Sequence, residues 1–328
     1  MDGLKTSDYL LDTAKGHIEG KISISEAQRR IQNYYEERSE RLEVQAETME
    51  ADIVSARIAM LLGERTFQFS PVELLTIHRR LFEGVFEHAG RIRPYNISKR
   101  EWVLKGDSVI YAACDSIKDT LEYDFYTEKQ FSYEGLSLQE SVKHLAKFTS
   151  DIWQIHPFCE GNTRTTAVFV IKYMKTFGLE VSNDVFAEHS WYFRNALVRA
   201  NYNNLKNGIH ATTEYLELFF SNLLLNTNYE LKNRFIHVDY ESKLETGNIQ
   251  SEMKNVLKGK NFTLNFTLEE LAILRLIAAD PAITQKEIAV KIGKSDRTVK
   301  NKMAMLQDKQ YIRRMIGNRN GRWEILVE

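Results

Sequence analysis

Between residues 156 and 164 the chain reads HPFCEGNTR, which places a histidine, a carboxylate, a side-chain amide and a guanidinium within nine positions. His156 and Glu160 are four apart, the spacing of a metal-ligand pair on one helix face. Pro157 removes a backbone donor, however, and Gly161-Asn162 is a turn signal, so the stretch reads as a loop and the metal-pair reading gives way. If a helix starts near Asn162, Thr163 or Arg164, the amides of residues 161 to 165 point into the loop and form an anion site. Gly161 then allows close approach, Asn162 donates from its amide, and Arg164 grips phosphate oxygens with its fork. Glu160 would be repelled by bare phosphate but suits Mg²⁺ carried on phosphate oxygens. His156, with an ordinary pKa near neutrality, is a general base for an incoming hydroxyl. Phe158 is expected to anchor the loop inward.

The flanking elements must position these groups. SLQESVKHLAKFTSDIWQI before the loop and RTTAVFVIKYMKTF after it carry helical periodicity, and the second is apolar on nearly every side. It is therefore expected to be the central buried helix of an all-α domain ending near residue 226. Upstream, Ser70 before Pro71 is an N-cap followed by proline at the first helical position. In that helix Val72, Leu75, Leu81, Phe82, Val85 and Phe86 give the apolar face. Residues 24 to 60 are densely charged and read as one or two mostly exposed helices that lay a narrow apolar stripe on something else. REWVL and VIYAA flank the turn signal KGDS, so residues 100 to 113 are expected to form a hairpin. Residues 227 to 262 are polar and of mixed charge, a helical connector or a linker. His78 and His144, on amphipathic helices, are expected to be satisfied structural histidines.

After residue 262 the pattern changes to three short helices and two strands about a Gly-Asn-Arg-Asn-Gly turn. Thr284 and Ser295 stand as N-caps, and IGKS is the turn between two helices of a helix-turn-helix. Val299, Met303 and Leu306 are expected to pack inward, leaving Arg297, Lys300 and Asn301 on one side. This stretch resembles a winged helix-turn-helix, a family that binds DNA. Lys294, Arg297, Lys300, Arg313, Arg314, Arg319 and Arg322 are placed to meet phosphates, with Asn301 available for a base edge.

The run HPFCEGNTR resembles the signature loop of the Fic family, H-P-F-x-[DE]-G-N-G-R-x-x-R. The resemblance implies a mainly α protein: an all-helical Fic fold with a small β-hairpin flap, plus the C-terminal winged helix-turn-helix. It implies a segment at 1–50 that includes a possible inhibitory helix, a Fic core at 51–226, a connector at 227–262 and the winged domain at 263–328. By activity it implies a protein adenylyltransferase that moves AMP from ATP, with Mg²⁺, to a hydroxyl side chain of a target protein, self-modification included. His156 would be the base and Glu160 would hold Mg²⁺. Gly161, Asn162, Thr163 and Arg164 would bind the phosphates, and Tyr192, Asn195 and Tyr202 lie where the family builds its nucleobase pocket. Trp102, Val103 and Leu104, in the flap, would dock the target by strand addition. Ser39 and Glu43 match part of the family's inhibitory pattern [ST]-x-x-x-E-[GN], with Val44 in the last place. Two departures stand out: Thr163 replaces the second loop glycine, and Ala167 the second arginine. They keep open a DNA-binding regulator with a degenerate Fic core, and a phosphotransferase on the same fold.

Composition narrows the setting. The 328 residues suggest two or three domains, and 43% hydrophobic with 27% charged residues is the make-up of a globular chain. A formal net charge of −1 gives no global attraction to nucleic acid or acidic membranes, so any such partner needs a local patch. Cys114 and Cys159 are expected to be reduced thiols. No run approaches 18 apolar residues and MDGLKTSDYLLDTAKGH lacks the order of a secretory signal, so a cytoplasmic protein with no membrane contact, a possible homodimer, is expected.

Overall fold

The computed structural model describes residues 6–36, 44–179, 181–240, 266–315 and 321–326. Helix starts follow the local chemistry of the sequence. Helix α4 (Pro71–Phe82) is capped by Ser70, whose side chain accepts from the Glu73 amide, and Pro71 fills the first turn, where its missing N–H costs nothing. Helix α6 (Leu138–Ile155) starts with a capping box between Ser137 and Glu140. Its partner α7 (Asn162–Lys175) is buried at every position from Asn162 to Met174 and forms the axis of the helical domain, as the unbroken apolar run implied.

Three helices precede α4: α1 (Asp8–Ile18), α2 (Ile24–Glu36) and α3 (Val44–Gly63). The expectation of mostly exposed helices over residues 24 to 60 fails for α3, where Val54 and Leu61 are core residues. The narrow apolar stripe expected there is present and packs on α4 and α7. Buried Asp52 accepts from the Ser7 amide at 2.8 Å and from the Tyr35 hydroxyl at 2.6 Å, tying α3 to the N-terminal helices. Arg57 ties the same helix to the end of α4 through the carbonyls of Leu81 and Glu83. Lys172 reaches from α7 to the Leu61 carbonyl at 2.8 Å, where the last turn of α3 leaves acceptors open. The apolar face of α4 is also phased differently from the sequence reading: Val72 is exposed, while Leu74, Ile77, Leu81 and Phe82 face the core.

The expected hairpin at 100–113 is not a pair of strands. Trp102–Leu104 forms a turn of 3₁₀ helix, and the segment closes on itself through the Glu101 amide to the Asp107 carbonyl at 2.9 Å. Val103 and Leu104 are drawn into the core, which an alternating strand could not do for both neighbours. The flap is thus a folded loop, followed by α5 (Ile117–Gln130).

Beyond α6 and α7 the domain is completed by α8 (Asp184–Glu188), α9 (Ser190–Ala200) and α10 (Glu214–Leu225). A short helix, α11 (Asn233–Ile236), stands in the described part of the connector. The last part is α12 (Leu268–Ala279), α13 (Gln285–Ile292), α14 (Asp296–Asp308) and the antiparallel strands β1 (Ile312–Met315) and β2 (Arg322–Ile325). Val299, Met303 and Leu306 are buried as their spacing required. The winged part rests on the helical domain: Arg275 donates to the Leu224 carbonyl at 2.6 Å, and a Cβ on Gly178 would lie 2.7 Å from Ile292.

Candidate active site

Helix α6 ends at His156 and α7 begins at Asn162, so the loop between them is held at both ends by buried helices. His156 itself has left-handed backbone angles, φ 49° and ψ 58°. Gly161 caps α7 at φ 76°, and a Cβ there would sit 2.4 Å from Phe82, so only glycine fits without displacement. The Thr165 amide makes the first helical bond, to the Gly161 carbonyl, which leaves the amides of Asn162, Thr163 and Arg164 at the open end of the helix. This is the helix start expected from the sequence, and it carries the positive end of the α7 dipole.

The side chains divide the work differently from the sequence reading. Asn162 is buried and fully committed to the loop: its Oδ1 accepts from the Phe158 amide at 3.0 Å and its Nδ2 donates to the Phe158 carbonyl at 2.7 Å. It shapes the cradle, and the backbone amides are left as the donors. Thr163 accepts from the Trp153 indole at 3.0 Å. Arg164 is paired with Glu50 of α3 at 2.5 Å and stacks over the Phe82 ring at 4.7 Å. Glu160 is exposed and accepts from Lys99 of the flap at 3.1 Å.

His156 caps the end of α6, with its ring against Tyr111 at 4.2 Å and edge-on to Trp153 at 5.2 Å. Both ring nitrogens are buried without a hydrogen-bond partner. Burial, reinforced by the nearby charge of Lys99, holds its pKa well below the usual imidazole range, so the ring is neutral and one nitrogen has a free lone pair. An unsatisfied polar group in such a place carries a cost that a substrate hydroxyl would relieve.

Two supports beneath the loop are not visible as motifs. Arg93 is buried and donates to the carbonyls of His156 at 2.7 Å and Tyr95 at 2.6 Å, and to those of Ala112 and Ile155; its own amide donates to Pro157. His78 stacks on Phe158 at 3.7 Å, accepts from the Gly90 amide on Nδ1 and therefore donates from Nε2 to the Glu160 carbonyl at 3.0 Å. It is a structural histidine, as expected, and so is His144, paired with buried Glu128 at 2.7 Å. Burial pulls the His78 pKa down to about 4. The folded state thus refuses a proton that the unfolded chain accepts below about 6.5, so stability is complete above that pH and falls as pH drops towards 4. The loss attributable to His78 is on the order of 3 kcal/mol. Denaturant titrations at pH 7 and pH 4.5 should show it, with His78→Gln losing that part of the pH dependence.

Tyr192 and Asn195 are packed in the core, and Asn195 donates to Asn233 of α11 at 2.7 Å. Tyr202 bonds to Asp107 of the flap at 2.6 Å. Tyr192 thus packs in the core and Asn195 ties α9 to the connector. Trp102 is exposed, and Val103 and Leu104 are not. Ser39, Glu43 and Arg319 lie outside the described residues. Arg297, Lys300 and Asn301 are exposed on α14, whereas Lys294 pairs with Glu269 at 2.8 Å and Arg313 with Glu324 at 2.9 Å. Ala167 is a core residue of α7, leaving no second arginine in the loop's first turns.

A metal is tested by the donor set. Among the described residues no group of three His, Cys, Asp or Glu could cage an ion, but one exposed carboxylate beside a row of amides fits Mg²⁺ held mainly by phosphate oxygens. No helix among the described residues is long and apolar enough to cross a membrane.

The neutral imidazole of His156 and the open start of α7 stand at the two ends of one loop on an all-helical fold, which a winged helix-turn-helix follows in the chain. Residues 68–174 match the model of the Fic/DOC family, and residues 270–313 that of winged helix-turn-helix DNA-binding domains, so the chain carries a Fic domain followed by a winged helix. A protein adenylyltransferase of Bartonella henselae (strain Houston 1) is 25% identical over 195 residues, 55% of this chain and 36% of that protein. The chain thus spans about a third of the length of that relative. Among solved structures, BepC of Bartonella tribocorum, with bound AMPPNP, is 21% identical over 55% of this chain and 86% of that one, with a TM-score of 0.44. A Fic family protein from Desulfovibrio desulfuricans G20 is 14% identical over 98% of this chain and 97% of that one, with a TM-score of 0.36.

Proposed function

We propose that the protein transfers AMP from ATP to a hydroxyl side chain of a protein. The observation that carries the reading is His156, neutral, buried and with both ring nitrogens unpartnered, beside the open N-terminus of α7. The Fic match and the adenylyltransferase relative support it. In this reading the amides of Asn162, Thr163 and Arg164 hold phosphate oxygens, and the loop fixes the α-phosphorus near His156. A ring nitrogen takes the proton of the target hydroxyl as its oxygen bonds to the α-phosphorus. The bond from that phosphorus to the bridging oxygen of the β-phosphate breaks, and pyrophosphate leaves. Glu160 would hold Mg²⁺, which neutralises phosphate charge when bound, and Lys99 must then release the carboxylate.

Arg164 is the loop's arginine for the outer phosphates, and Glu50 sits on it. We read this pair as a restraint on nucleotide binding, seated seven residues beyond Glu43. On the winged domain, exposed Arg297, Lys300 and Asn301 of α14 support DNA contact.

The test is incubation with ATP labelled on the α or the γ phosphate. Protein-bound α label that disappears in His156→Ala supports AMP transfer. Bound γ label without α label would replace it with phosphoryl transfer, and no label from either, with Glu50 also removed, would sink both.

A further inference from the structure

The flap has two sides, and both are in use. Towards the site, Lys99 reaches Glu160 and the Tyr111 ring covers His156. On its other edge lies the chain's own connector. The Val238 amide donates to the Val103 carbonyl at 3.0 Å. Either side of this bond, Trp102 lies against His237 at 4.8 Å and Lys105 pairs with Asp239 at 2.9 Å. Three successive connector residues thus meet three flap residues in the same order along both segments.

The dock is shallow but its tether is deep. Trp102, Lys105 and Asp239 remain largely exposed. Immediately upstream, Ile236 is fully buried, Asn233 bonds to Asn195, and the Phe235 carbonyl accepts from the Tyr215 hydroxyl at 3.0 Å. A weak contact held by such an anchor forms because it is intramolecular, and a competitor in trans has only the weak contact to overcome. A groove of about 1140 Å³ continues from it, with Leu104, Asp107 and Tyr202 on one wall and Val238 to Tyr240 on the other.

Tyr111 of the flap covers His156, so a polypeptide that offers a hydroxyl there comes past this flap, and hydrogen bonding to an exposed backbone group is a general way to hold an extended segment. We propose that residues 237–239 occupy in cis the edge that a target segment takes in trans, and that the target presents the same chemistry: extended backbone with an aliphatic residue followed by an acid. The proposal rests on the AMP-transfer reading for what docking achieves, but the docking is tested without nucleotide. In sequence the same segment leads on to the winged helix, so the dock lies on the route between the two domains.

Val238→Pro removes the donor. His237 has φ −64° and ψ 134°, the conformation a residue before proline adopts, so the change removes the donor while suiting the backbone that leads into it. A fluorescein-labelled peptide IHVDYES, residues 236–242, should bind the full-length Val238→Pro chain at least tenfold more tightly than the wild type, by anisotropy. The counterpart peptide with lysine for aspartate should prefer a chain carrying Val238→Pro and Lys105→Glu. Equal binding to wild type and Val238→Pro, no binding to Val238→Pro, or no reversal by the charge exchange would each overturn the proposal. A chain that docks the peptide and carries no α label would leave the dock standing and remove the transfer reading instead.

Discussion

Glu50→Ala should raise the rate of α-label transfer by about 10- to 100-fold, the value of one charge-assisted phosphate contact of about 1.5–3 kcal/mol returned to Arg164. The pair is mostly shielded from water, with 8% of the Arg164 side chain and 19% of that of Glu50 exposed. Its position is built in: Asp52, two residues on, is clamped by Ser7 and Tyr35, and Arg57 ties α3 to the end of α4. Removing the carboxylate takes a charge-assisted hydrogen bond from a mostly buried guanidinium, so the nucleotide-free variant should melt below the wild type. ATP with Mg²⁺ offers phosphate oxygens in place of the lost carboxylate, and the thermal shift it causes should be larger in the variant than in the wild type. Arg164→Ala should abolish the gain, and adding Glu50→Ala to it should change nothing further. A Glu50→Ala chain with wild-type rate and wild-type thermal shift would show that the pair is structural only.

What the sequence disclosed, and what it did not, follows the range of the interactions. Ser70, Ser137, Thr267, Thr284 and Ser295 each bond within three residues of themselves, so helix starts can be read from local spacing. The cradle is equally local: Pro157 and Gly161 delimit the loop, and the apolar run after it could only be a buried helix. Arg164 and Glu50 are separated by 114 residues, and Arg93 and His156 by 63, so no spacing could join them. The flap misled for another reason. Short β-compatible runs about a turn have two solutions, and burial of both Val103 and Leu104 favours a 3₁₀ turn over paired strands. Asn162 shows a third limit: its type is right for phosphate, but the nearest unsatisfied groups are the Phe158 amide and carbonyl, and it takes those.

The same long-range logic makes Arg93 the second large effect. Its guanidinium serves carbonyls at the end of α6, at His156, at Tyr95 ahead of the flap and at Ala112 in the flap, so one side chain fixes the loop that follows α6 against the wall that covers His156. Arg93→Ala leaves those carbonyls buried without a donor, at a cost of roughly 3–5 kcal/mol. Arg93→Lys keeps the charge, but a single ammonium cannot reach acceptors arranged around a planar fork, so it should recover only part of that stability. The kinetic signature separates positioning from folding. The left-handed backbone of His156 is held by the Arg93 bond to its carbonyl, and a displacement near 1 Å is worth about 100-fold in kcat. The amides of α7 are held by the helix itself, so KM for the nucleotide should change little in the lysine variant. Transfer assays on folded Arg93→Lys, at temperatures below its melt, would read this split. A variant that loses nucleotide affinity and turnover together would mean that Arg93 supports the whole domain, with no particular hold on His156.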